Sequence, residues 1–133
     1  MRRKLTLIFV FLLYSISTAS AQQRDVIDTL AKYFNTTDAS KISSLFLSTL
    51  ELDILGEENL YSKAQAELIM RDFFSKNKPL SVKIIHRLHS NPNYKLAVLS
   101  MATIKDKFRV SISLSSNNES FLIKQIRIEY DEQ

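Results

Sequence analysis

The 133-residue chain has no cysteine and no tryptophan, one glycine and two prolines. Without cysteine it forms no disulfide, offers no thiolate nucleophile or cysteine-ligated zinc, and has no cysteine to carry a lipid anchor. Gly56, the single glycine, excludes the Gly-rich loops that cradle phosphate groups. No apolar run reaches the roughly 20 residues that a membrane-spanning helix needs. The two histidines are three positions apart on a predicted strand, so they point to opposite faces and form no local metal site. No calcium-loop spacing, nucleophile elbow or assembled triad is visible.

What remains is a composition typical of a folded domain, 45% hydrophobic and 24% charged. The formal charge is +4. Three of the basic residues, Arg2, Arg3 and Lys4, precede the apolar stretch from Leu5 to Ile16. Small residues follow, ending in Ala19-Ser20-Ala21. This is the layout of a secretory signal peptide, 1–21, with Ala19 and Ala21 framing the cleavage site. The alternative is an uncleaved anchor, for which the apolar run is short. Cleavage leaves residues 22–133 as a single domain with 15 basic and 14 acidic residues, net +1. That balance, together with export to the periplasm or beyond, argues against nucleic acid as a partner.

Helical periodicity fills the first half of this domain and strand alternation the second. Val26, Ile27, Leu30, Ala31 and Phe34 share one stripe of a helix over 25–35. Asp38 is the expected cap of a short second helix that turns Ile42, Leu45 and Phe46 inward. Thr49 to Leu55 alternates as a short strand, and 56–59 is predicted to be a turn. Ser62 and Gln65 match a capping box for a third helix that buries Ala66, Ile69, Met70, Phe73 and Phe74 and stops before Pro79.

A four-strand antiparallel meander is predicted from Ser81 onward. Val82, Ile84, His86 and Leu88 form its first inward face. A phase slip between Ile123 and Ile126 marks a β-bulge in the last strand. The expected order is α-α-β-α-β-β-β-β, an α+β fold with three N-terminal helices on one face of a curved antiparallel sheet.

Candidate functional residues follow from this phase. His86 is expected inward, either as a core histidine or as a weak general-base candidate. Ile85, Ala97, Leu99 and Met101 are placed on the opposite sheet face, an apolar patch for a homodimer interface. Residues 80–115 hold six basic side chains against Asp106. Lys83, Arg87, Lys95 and Arg109 among them are candidates for anion binding, for instance to a glycan, unless they are a solvated face. Glu67 and Asp72 read as a solvated helix face. Asp25 and Asp28 favour the positive end of the first helix dipole. Glu51, Asp53, Glu57 and Glu58 cluster without a recognised ligand spacing.

The element order resembles the NTF2-like, or cystatin-like α+β, superfamily. The segment from Tyr61 to Glu67, the Asp72-Phe73-Phe74 triplet, His86, the Phe108-Arg109-Val110 strand and the end at Ile126-Arg127-Ile128-Glu129 resemble a small exported Bacteroidetes family of unknown function. The superfamily resemblance implies a cone with a pocket between helices and sheet. In its enzymatic branches an Asp/His or Tyr/Asp set lines that pocket. Here the pocket would draw on His86, Tyr61, Phe73 and Tyr94. No partner Asp aligns with an enzymatic set, and no cofactor or metal is implied. The leading expectation is therefore an exported, non-catalytic NTF2-like module that dimerises or binds an envelope partner. The alternative is an apolar-ligand binder or an isomerase- or dehydratase-type enzyme using His86.

Overall fold

A computed structural model describes residues 25–132. The expected signal peptide, Ala19, Ala21 and the start at Gln22 lie outside these residues. Among the described residues, three helices and six strands follow in the order α1 (Val26–Asn35), α2 (Ala39–Ser43), β1 (Phe46–Ile54), β2 (Glu57–Ser62), α3 (Lys63–Lys76), β3 (Ser81–Leu88), β4 (Tyr94–Ala102), β5 (Lys107–Asn117) and β6 (Ser120–Tyr130). The strands form one sheet in the order β2-β1-β6-β5-β4-β3. Every pairing is antiparallel except β1 with β6.

Local signals account for most boundaries. The Asp25 carboxylate accepts from the Ile27 amide at 3.1 Å and starts α1. Thr37, at φ +54°, ends that helix in a left-handed conformation unusual for a β-branched residue. Asp38 accepts from Lys41 N at 3.0 Å and caps α2. Ser62 and Gln65 exchange the two bonds of a capping box at the start of α3, at 3.2 and 3.3 Å.

Two expectations in the first half are corrected. Residues 57–59 are not a turn. The chain reverses at Leu55 and Gly56, both at positive φ (53° and 94°), and 57–62 pair back on β1 as a second strand. Two residues at positive φ are the signature of a tight hairpin turn, which normally requires Asn or Gly at the first site, and Leu55 disguises it. Phe46 does not belong to α2. It opens β1, buried against Ile123 of β6. The Ile42–Phe46 spacing mimics a helical stripe, but ladder bonds to β6 fix this segment as strand.

Residues paired across strands share a sheet face. Leu52, Ile126, Ile112 and Ala97 form one such row, and Ile54, Ile128, Val110, Leu99 and Ile84 the next. These rows meet the buried sides of the helices: Ile27, Leu30 and Phe34 of α1, Ile42 of α2, and Ala66, Met70, Phe73 and Phe74 of α3. Edge-to-face aromatic contacts run from α1 through α3 into the sheet. Phe34 meets Phe74 at 5.5 Å, Phe74 meets Phe73 at 6.0 Å, and Phe73 meets Phe108 at 5.4 Å. Phe34 is wholly buried at the start of this chain of rings. Phe34→Ala should cost about 3–5 kcal/mol, a loss readable by urea unfolding of the two proteins.

Candidate functional site

The positions of His86, Arg87 and Leu88 depend on one irregularity in β3. Ile84 pairs with Leu99, but His86 pairs with Val98, so Ile85 is an extra residue in the ladder. Such a bulge reverses the in–out alternation beyond it. Val82 and Ile84 face the helices as the alternation predicts. His86 and Leu88 do not: both are exposed on the outer face. Arg87 takes the inward side instead, opposite Ala97.

The same pairings correct the expected interface. Met101 lies opposite Val82 and Leu99 opposite Ile84, so both share the helix-covered face, as does Ala97. All three are wholly buried in the core. Only Ile85, in the bulge, is exposed. The outer face of β4 consists of Tyr94, Leu96, Val98 and Ser100. Because β4 is apolar on both faces, its own sequence does not encode which side turns inward. The phase of β5 does: Phe108, Val110, Ile112 and Leu114 alternate clearly, and Phe108 pairs with Met101.

The expected pocket set is divided. Tyr61 and Phe73 belong to the helix-covered side, Tyr61 half-buried and Phe73 buried in the core. His86 and Tyr94 belong to the outer face. The Tyr94 hydroxyl lies 3.5 Å from Ser113 Oγ, and Lys124 Nζ sits 5.0 Å over its ring. The clefts among the described residues are open and peripheral, and His86 lines none of those near the helices, the sheet turns or Asp25. One of about 320 Å³ lies between the β1–β2 turn and α3, walled by Ile54, Leu55, Ile69, Phe73 and Asp72. Another of about 520 Å³ lies beside Asp25, Lys95 and Phe121. Among the described residues no group of three His, Asp or Glu side chains is arranged to hold a metal ion.

The four candidate anion-binding residues also separate. Arg87 donates to both acids of the α1 start: Nη1 lies 3.1 Å from Asp25 Oδ2, and Nη2 lies 2.8 Å from Asp28 Oδ1. Lys95 Nζ lies 3.8 Å from Asp25 Oδ1 and 4.6 Å over the Phe121 ring. These four charges cancel and pin α1 to β3 and β4. The partners are 59 and 62 residues apart in the chain, and nothing in the sequence pattern links them. Lys83 and Arg109 remain on the outer face, in register with Ser100 between them.

The acids of β1 and β2 meet on that same outer face. Asp53 pairs with Glu58 on one side and with Arg127 on the other, and Arg127 Nε reaches Asp53 Oδ2 at 3.2 Å. Glu51 accepts from Gln125 at 3.3 Å. A hydrogen bond with Glu51, and then repulsion from Glu51 and Asp53, raise the Glu58 carboxyl above its ordinary range. On α3, Glu67 accepts from the buried Ser43 hydroxyl and pairs with Arg71 at 3.2 Å, while Asp72 pairs with Lys76 at 3.0 Å. Both have structural partners rather than a shared site.

Two pH effects follow, with opposite signs. The Arg87 hydrogen bond holds the Asp28 carboxyl below its ordinary value. Its stabilisation is complete above the unfolded-state value, near pH 4, and disappears as pH falls through the lowered folded value. Asp28→Asn should therefore flatten the acid limb of a plot of Tm against pH. Glu58 is raised, so its contribution is complete below the ordinary glutamate range and is lost as pH rises through the raised value. Glu58→Gln should raise Tm at pH 7 and leave it unchanged near pH 3.

The chain is similar to known proteins of undetermined role. A family model described as "Domain of unknown function (DUF4783)" matches residues 27–129. A crystal structure of a DUF4783 protein from Bacteroides uniformis superposes with a TM-score of 0.77 at 21% identity, covering 82% of this chain and all of that one. One from Bacteroides ovatus gives 0.74 at 24% identity, covering 78% and 94%. An NTF-2 like protein of unknown function from Silicibacter pomeroyi gives 0.58 at 11% identity, covering 79% and 89%. No curated protein sequence matches the chain. The likenesses establish the NTF2-like α+β fold, and the family match over most of the chain shows that it belongs to the DUF4783 family of domains of unknown function.

Proposed function

We propose that the protein is an exported, non-catalytic NTF2-like module that binds a protein partner in the cell envelope through the outer face of its sheet. The observation that carries this reading is the division of the two faces. The helix-covered interior is filled by Phe, Ile, Leu and Met side chains, and Asp72, which walls a cleft on this side, is held by Lys76. The outer face has no helix over it among the described residues and presents Leu88, which is exposed, and Tyr94 and Leu96, which are half-buried. A basic and polar rim of Lys83, His86, Arg109 and Lys124 borders these residues. An apolar centre with a polar rim is the usual anatomy of a binding surface. The exposed position of His86 weighs against the isomerase or dehydratase alternative, which placed that residue inward.

A second copy of the chain is one form such a partner takes. Lys83 and Arg109 lie toward the β3 side of the face, and Glu51, Asp53 and Glu58 lie at the β1–β2 side. A two-fold axis along the strands brings each charge set over its opposite. An anionic glycan would rely on Lys83 and Arg109 alone, with the steep salt dependence of exposed charges.

The test uses the chain from Gln22 and a variant carrying Leu88→Asp and Leu96→Asp. Light scattering at high concentration and pull-down from an envelope fraction report self-association and partner capture. The parent should give a dimer or one discrete envelope protein, and the double variant should lose either by more than tenfold while keeping its far-UV spectrum. Equal capture by the folded variant would overturn the assignment to this face.

A further inference from the structure

The two edges of the sheet are built differently. β3, at one end, carries the Ile85 bulge and an exposed Lys83, both devices that deter strand addition. β2, at the other end, has no bulge, proline or lysine. It pairs with β1 in unbroken register from Glu57 to Ser62. Among the described residues no strand flanks its far side. Alternate backbone N–H and C=O groups of an edge strand point away from the sheet with no ladder partner. Five of its six residues are exposed, and Leu60 keeps 71% of its surface in solvent.

The charge of this edge is of one sign. Glu58 crowds against Glu51 and Asp53 on the outer face, and Glu57 lies on the other side of the strand, with Arg127 the cation set among them. Two such edges placed together would add repulsion from both acid sets, so a second copy is the wrong occupant. A strand carrying positive charge fits.

We propose that β2 accepts an extended, basic segment of a partner protein as a seventh strand. Its Lys or Arg would lie beside Glu58, and an apolar residue two positions away would lie beside Leu60. Main-chain bonds along the edge supply affinity, and the alternate side chains supply selectivity. A cation beside Glu58 also relieves the repulsion among the three outer-face carboxylates. The inference deepens the reading of the protein as a binding module by naming a partner chemistry, and it uses the edge of the sheet rather than the face.

The test is an NMR titration of the isotopically labelled chain from Gln22 with two acetylated heptapeptides. Both alternate threonine with valine, lysine and valine or with valine, glutamate and valine. The lysine peptide should give saturable shifts and slowed amide exchange confined to residues 57–62, with about tenfold tighter binding than the glutamate peptide. Glu58→Lys should reverse that preference, and Leu60→Pro should abolish binding of both while the remaining spectrum is retained. Shifts at β3, equal affinity for the two peptides, edge-to-edge dimers, or an unchanged preference in Glu58→Lys would each overturn the proposal. The Leu88→Asp, Leu96→Asp variant should bind the lysine peptide as the parent does. Failure at the edge and failure at the face are thereby read separately.

Discussion

The arrangement of the surface depends on one extra residue in β3. Ile85 inserts into the ladder with β4, and every side chain beyond it changes face. Arg87 turns under the sheet, where two aspartates of α1 receive it, and His86 turns out into solvent. Without the bulge a guanidinium would lie outside and an imidazole would lie against the core. The insertion therefore fastens α1 to the sheet, removes the histidine from the protein interior, and bends an edge strand away from pairing.

The interior and the exterior then take separate roles. Aliphatic rows on β1, β6, β5 and β4 meet the apolar stripes of three helices, and a line of phenylalanine rings ties α1, α3 and β5 together. We propose that the outer face and the β2 edge carry the functional content of the fold. On the outer face, an apolar strip is flanked by opposite charges. On the edge, unpaired backbone groups coincide with crowded carboxylates. Both suit the proposed recognition of another chain.

Much of this architecture was legible in local patterns. The capping box at Ser62, the stripe Ile27, Leu30, Phe34 and the alternation of Phe108, Val110, Ile112 and Leu114 each follow from period or cap chemistry. The phase slip near the end was also legible: Gln125 pairs with Ser113 but Ile123 with Leu114, so Lys124 is the extra residue in β6. The readings that failed share a cause. Ile85 directly follows Ile84, between Lys83 and His86, and no turn residue or glycine marks its bulge. Leu55 occupies a positive-φ turn position where Asn or Gly would have announced the hairpin. In β4 both faces are apolar, so the side on which Ala97, Leu99 and Met101 lie is set by pairing with β5 rather than by β4 itself. The Arg87–Asp28 and Lys95–Asp25 contacts join distant parts of the chain and exist only once the sheet and α1 meet.

The central claim is that the bulge at Ile85 places His86 on the outer face and Arg87 beneath the sheet. Solvent paramagnetic relaxation tests it most directly, with a neutral soluble probe and the side-chain signals of the two residues in the folded chain. The account predicts strong broadening of the His86 ring protons, comparable to that of His89, and substantially weaker broadening of the Arg87 side chain. A protected His86 ring beside a fully broadened Arg87 would contradict it.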